Sequence, residues 1–257
     1  MTETRRAGTV PHGLLAGSAV VALLLFAGGA LALAALVLDS TTTSARSIPV
    51  TRAIDVRTLG GGDLEVAASA GRGARLTTRE QGALARPHVR VSSAAGRLTL
   101  RDGCASVPFS RCRASFRLEV PAGTRVRLET GPGDVRVSGR LGATDARAGS
   151  GDVMVIGASA PLRLRTGSGD VHAETTGPDV DAESGSGDVD LRAPRARSVR
   201  LRAGSGDVTA RVADAPYSVR ADTGSGDERV TVPTDPRAPR SIDARTGSGD
   251  VRLASVS

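Results

Sequence analysis

Aromatic side chains are almost missing from this chain, whose 257 residues include no tryptophan, one tyrosine and three phenylalanines. That poverty excludes the stacking platforms that hold single-stranded nucleic acids, and no nucleic-acid partner is expected. Lysine is absent too, so all 34 basic residues are arginine, a bias that reflects a GC-rich genome and says nothing about activity. Histidine is scarce: His12 stands near the N-terminus, His88 in an irregular region and His172 at an outward strand position. No G-x-S-x-G, H-E-x-x-H or phosphate loop accompanies them, so the chain reads as a non-enzyme with no catalytic residues and no cofactor. The only cysteines, Cys104 and Cys112, are separated by seven residues and lack both C-x-x-C spacing and a neighbouring His. A disulfide closing the loop between strand-like runs at 97–101 and 115–120 is the simplest expectation for an exported domain.

What the chain has in abundance is one repeated unit. Asp134, Asp152, Asp170, Asp188, Asp207, Asp227 and Asp250 each end a turn reading G-S-G-D or close to it, at spacings of 18, 18, 18, 19, 20 and 23 residues. Eight and six residues before each aspartate stand apolar or small residues, such as Leu162 and Leu164 before Asp170. One and three residues after it the pattern resumes, as in Val171 and Ala173, with Arg and Asp frequent between. Period-two alternation marks strands with one buried face. A fixed repeat of this length predicts an all-β, two-sided β-solenoid of coils about 18 residues long. Its rival is an antiparallel meander in which G-S-G closes ordinary hairpins. The drift in spacing falls in the second, looser corner of each unit, as a free surface loop allows.

The G-S-G-D corner has two readings. In the first, Gly supplies unusual backbone angles while Asp or Ser accepts N–H bonds within the turn. In the second, the seven aspartates form a calcium ladder, although only one short motif occurs per coil and Pro132 replaces the first serine. The serines recur in six coils with no His beside them, which argues against a nucleophile.

Residues 13–38 carry no charge and are rich in Leu, Ala and Val. The stretch is long enough to cross a bilayer, which takes about 20 residues. Arg5 and Arg6 precede it, so residues 1–12 are expected as a cytoplasmic tail, 13–38 as a transmembrane signal anchor and the remainder as extracellular. Cleavage after Ala32 or Ala34 as a signal peptide is the alternative, but the stretch exceeds the usual apolar core of such peptides. Residues 39–50 read as a Ser/Thr-rich linker, 51–120 as an irregular β region capping the solenoid, and 121–257 as the solenoid repeats. Within the irregular region Ile54, Val56 and the turn before Asp63 resemble a degenerate first coil. The last repeat leaves an unprotected C-terminal edge.

Removing Arg5, Arg6 and Glu3, net +1, from the formal charge of +7 leaves +6 on the exported part. Arg125, Arg127, Arg163, Arg165, Arg200 and Arg202 alternate with apolar residues, which makes them either a solvated face or a basic stripe for anionic envelope polymers or lipid head groups.

The segment from Phe116 to Gly123, F-R-L-E-V-P-A-G, followed by V-R-L-E-T-G-P-G-D-V and then successive S-G-D-V turns, resembles the bacterial putative-adhesin family, a domain of unknown function. The Cys pair and the single N-terminal apolar segment are similar to its actinobacterial members. The resemblance covers about residues 48–257 and implies a β-solenoid with an adhesin label, relatives linked to envelope stress and no catalytic residues to carry over. Glu228, standing where the other repeats have Val, departs from the pattern. The expected role is a membrane-anchored adhesin or envelope-binding module whose partner is an envelope polymer, anionic ones included, or a surface protein. The alternatives are a sensor or accessory subunit of a membrane signalling system, and a glycan-active β-helix.

Overall fold

The computed structural model describes residues 40–48, 52–58, 61–82, 88–94, 97–103 and 112–256. The expected tail and membrane segment, Cys104 and the side chain of Cys112 lie outside the described residues, and so does the expected disulfide. Among the described residues no helix is long and apolar enough to cross a membrane.

The N-terminal part contributes β1 (Ser40–Ile48), β2 (Ala53–Thr58), β3 (Asp63–Ser69), β4 (Ala74–Gly82), β5 (Arg90–Ala94), β6 (Arg97–Arg101) and β7 (Cys112–Pro121). The repeats then contribute strand pairs: β8 (Arg125–Thr130) with β9 (Val135–Ser138), β10 (Thr144–Ala148) with β11 (Val153–Ala158), and β12 (Leu162–Thr166) with β13 (Val171–Thr175). They continue as β14 (Asp179–Ser186) with β15 (Val189–Ala193), β16 (Ser198–Ser205) with β17 (Val208–Val212), β18 (Ser218–Thr223) with β19 (Glu228–Val230), and β20 (Ser241–Thr246) with β21 (Val251–Ser255).

Each repeat gives one strand to each of two sheets. The eleven-stranded sheet runs β1-β4-β7-β3-β9-β11-β13-β15-β17-β21-β19, and the ten-stranded sheet runs β18-β20-β16-β14-β12-β10-β8-β2-β6-β5. Repeat strands pair in parallel, with Leu162 beside Val180 and Val171 beside Val189, so the chain is a two-sided solenoid and the meander is excluded. The inward residues hold the thickness of the core nearly constant by complementing one another within a coil. Leu164 goes with Ala173, Ala182 with Leu191, Leu201 with Ala210 and Ala244 with Leu253, all at most 1% exposed. In these four coils one large and one small residue fill the space between the sheets at interior density without forcing them apart.

The N-terminal edge is closed by antiparallel strands. β4 pairs antiparallel with β7 and β1 with β4, while β5 pairs antiparallel with β6. Part of the expected linker at 39–50 is therefore strand β1. Its Ser/Thr run shows no apolar alternation because its side chains are exposed, Ile48 alone being buried among those described.

At the other end the coils leave chain order. β20 lies between β16 and β18, and β21 between β17 and β19, so the seventh repeat is interior and the sixth forms the outer edge. Their inward residues explain the exchange. Ile242, Ala244, Val251 and Leu253 complete a buried apolar layer. Stacked in chain order, Glu228 would lie between Val208 and Val251, and an unpaired carboxylate in such a core is expensive. At the edge Glu228 is exposed, and its Oε1 accepts the Thr223 backbone N–H at 3.1 Å. The outward step is anchored by Tyr217, fully buried, whose hydroxyl donates to the Ala196 carbonyl at 2.9 Å. Residues 231–240 lead the chain back, which accounts for the longest repeat spacing. The expectation of an open edge after the seventh motif is corrected accordingly, since the sixth coil covers it.

Candidate functional site

Two rows of polar side chains run along the solenoid, one at the corner and one across the ten-stranded sheet. At the corner, Oδ1 of each aspartate accepts the backbone N–H of the aspartate stacked on it. The bonds run from Asp134 to Asp63 at 3.1 Å, Asp152 to Asp134 at 3.0 Å, Asp170 to Asp152 at 2.9 Å and Asp188 to Asp170 at 2.9 Å. They continue from Asp207 to Asp188 at 2.8 Å, Asp250 to Asp207 at 2.9 Å and Asp227 to Asp250 at 2.9 Å. All seven predicted aspartates are thus brought together in one line, and the bonds run between coils rather than within a turn. Asp63 is an additional rung, announced in the sequence by the glycines before it.

The glycines make this approach possible. Gly187 has φ +144°, and a Cβ there would stand 2.2 Å from the Gly169 carbonyl oxygen. Behind the corner, buried hydroxyls tie the coils further. Thr166 Oγ1 donates to the Gly151 carbonyl, Ser184 Oγ to that of Gly169 and Thr246 Oγ1 to that of Gly206, each at 2.7 Å. Asp207 is held below the usual carboxylate range by the Asp250 amide and then by Arg252. Asp102 is pushed the other way by burial, against hydrogen bonds from its own backbone and those of Gly62 and Gly61. Among the described residues no group of three or more His, Cys, Asp or Glu is placed to hold a metal ion.

The second row lines an open groove of about 1070 Å³ across the ten-stranded sheet. Following the strand order from β2 to β18, its outward residues are Asp55, Arg127, Asp145, Arg163, Asp181, Arg200, Asp243 and Arg220, an alternation of sign without exception. The groove is lined by those from Asp55 to Arg200, together with Arg125 and Asp179, and Ser92 and Thr99 also belong to its wall. Arg127 Nε stands 4.0 Å from Asp145 Oδ2, and Arg163 Nε 3.6 Å from Asp181 Oδ2. Both distances are too long for hydrogen bonds. The two arginine side chains are 54% and 56% exposed, the two aspartates 24%, so the cations stand proud of the anions.

Two residues further along each strand lies a parallel row of Arg57, Glu129, Arg147, Arg165, Glu183, Arg202, Arg245 and Asp222. Here like charges meet at Arg147 beside Arg165 and at Arg202 beside Arg245. Arg57 binds Glu129 at 2.7 Å and Arg165 binds Glu183 at 3.2 Å. Of the six arginines predicted as a face, Arg125, Arg127, Arg163 and Arg200 line the groove and Arg165 and Arg202 lie beside it. The intervening Asp145 and Asp181 were readable as outward residues, but their place between arginines depends on which coils touch. His172 lies on the other sheet, with Nδ1 3.4 Å from Asp190 Oδ2 and Nε2 3.9 Å from Glu174 Oε1.

The family model described as Toastrack DUF4097 matches residues 47–254, so the chain belongs to the Toastrack family. A solved structure of a putative adhesin from Bacteroides fragilis is 13% identical to it, with a TM-score of 0.51 and 84% of this chain and 98% of that one covered. A putative adhesin from Parabacteroides distasonis is 12% identical with a TM-score of 0.45, covering 84% of this chain and 97% of the other. At these identities the likeness is one of fold. Among proteins with curated descriptions, none matches the sequence.

Proposed function

We propose that this Toastrack domain is a non-enzymatic adhesin-type module that holds a cell-envelope polymer in the groove across its ten-stranded sheet. In this reading residues 13–38 anchor it in the membrane, with the N-terminus cytoplasmic and the solenoid outside. The observation that carries the reading is the groove, because its charged side chains are not needed to close the core beneath them. A groove parallel to the solenoid axis crosses five or more coils and suits an extended chain better than a compact molecule. The adhesin name of the Bacteroides fragilis structure agrees with this role, whereas among the described residues no constellation favours the signalling or glycan-cleaving alternatives.

The test is retention of the full chain, purified in mild detergent, on isolated bacterial cell walls. Arg163→Glu combined with Asp181→Arg keeps the attraction between these two positions but breaks the alternation of the row, setting like charges beside Asp145 and beside Arg200. Loss of retention with unchanged thermal unfolding supports the groove as the site, and full retention places binding elsewhere.

A further inference from the structure

Among the described residues the groove carries no net formal charge. Its wall holds four arginines, at 125, 127, 163 and 200, and four aspartates, at 55, 145, 179 and 181. The chain as a whole is basic, at +7, so the neutrality is local to this site. Along the axis neighbouring opposite charges are one strand spacing apart, roughly 4.8 Å, and like charges two, roughly 9.6 Å. Alternating charges at that spacing cancel beyond about one Debye length, roughly 8 Å at physiological salt. The groove therefore exerts little pull on a distant polyanion and discriminates only at contact.

At contact a uniformly negative chain satisfies Arg127, Arg163 and Arg200 but lies over Asp145 and Asp181 as well, and like-charge juxtaposition counts against binding. We infer that the groove recognises a zwitterionic polysaccharide, one whose repeat carries both an ammonium and a carboxylate or phosphate and spans two coils. Two strand spacings are about the length of a 1,4-linked disaccharide. Both halves of the pattern are presented to the groove. Arg127 and Arg163 approach their aspartates at 4.0 and 3.6 Å without forming hydrogen bonds, so guanidinium donors remain for an anion. The Asp145 and Asp181 side chains are 24% exposed, and although Asp145 Oδ2 accepts from Arg147 at 3.2 Å, the exposed part of each carboxylate faces the groove where an ammonium of the ligand would meet it. With no aromatic side chain among the described residues of its wall, the groove recognises by charge and hydrogen bonding rather than by stacking on sugar faces.

This inference rests on the reading of the groove as a polymer site, and the experiment separates the two. The full chain is titrated with three oligosaccharide series: hyaluronan, with one carboxylate per disaccharide, N-deacetylated hyaluronan, with one carboxylate and one amine, and chitosan, with amines alone. The deacetylated series is expected to bind at least about tenfold tighter than either of the others. Arg163→Gln and Asp181→Asn are each expected to weaken it by about fivefold or more without shifting thermal unfolding. Equal binding of hyaluronan and its deacetylated form, or binding of neither while cell walls still retain the chain through the groove, overturns the zwitterionic inference alone. Binding of the deacetylated series that both variants leave untouched overturns the assignment to this groove.

Discussion

The backbone N–H of Asp227 donates to Oδ1 of Asp250 at 2.9 Å, although Asp250 follows 23 residues later in the chain. In the six other rungs of the ladder the amide belongs to the later aspartate. This one inversion records the exchange of the last two coils, and it leaves the repeat with the poorest inward residues at the edge. Terminal repeats of solenoids are atypical because they face solvent on one side. Here the atypical repeat is the sixth in sequence and the last in space.

The exchange sets the cost of two substitutions at equivalent repeat positions. Val251→Glu puts a carboxylate into the buried layer between β17 and β19 and is expected to destabilise by about 3 kcal/mol or more. Glu228→Val acts at the exposed edge and should change stability by less than about 0.5 kcal/mol. Urea unfolding of the full chain and both variants decides the matter. A large gain from Glu228→Val with a small loss from Val251→Glu would restore stacking in chain order.

The ladder makes a second pair of variants informative. Asp170→Ala leaves the Asp188 amide without its acceptor and should cost about 1–3 kcal/mol. Asp170→Asn keeps a carbonyl oxygen in place and should cost much less. If Asn proves as harmful as Ala in the same unfolding assay, the charge and not the acceptor matters. Because Oδ1 of each stacked aspartate up to Asp250 already serves an amide, millimolar calcium is expected to leave the unfolding midpoint unchanged. A marked rise by differential scanning calorimetry would reinstate the metal ladder.

Close stacking at the corner is tested by glycine replacement. At Gly187 a methyl group meets the Gly169 carbonyl oxygen at 2.2 Å, whereas at Gly73 nothing lies within 4 Å. Gly187→Ala should therefore destabilise by about 2 kcal/mol or more, because backbone of the adjacent coil has to move. Gly73→Ala serves as the control and should be nearly neutral in thermal unfolding.

Acid acts oppositely on two carboxylates. The folded pKa of Asp207 is lowered, so its contribution is fully present above the unfolded value near pH 4 and is lost as pH falls through the folded value. Asp207→Asn should lower the melting temperature at pH 7 and narrow its difference from the parent in acid. The folded pKa of Asp102 is raised, so its ionised form opposes folding above that raised value and the penalty vanishes below about pH 4. Asp102→Asn should accordingly raise the melting temperature at pH 7 and have no effect near pH 3. Parallel melting curves for parent and variant across that range would contradict the assignment.

The sequence alone determined the two-sided solenoid, the inward residues and the line of corner aspartates. These follow from period-two alternation and a nearly fixed coil length, both local properties that bring residue i beside residue i+18 wherever coils stack. Leu164 and Val171 are buried as their spacing required. Tertiary structure decided what depends on which surfaces remain open. Ser40–Ile48 became a strand because the edge formed by β4 offered free backbone groups, which a Ser/Thr run satisfies without apolar alternation. The order of the last two coils followed from Glu228. Charge pairing does not choose between the orders, since the exchange removes an Arg200–Arg220 neighbourhood but creates Arg202 beside Arg245. Burial does choose, because solvating one carboxylate at an edge outweighs keeping the coils in chain order. The groove came last of all, since a row of alternating sign exists only once the coil that supplies each neighbour is known.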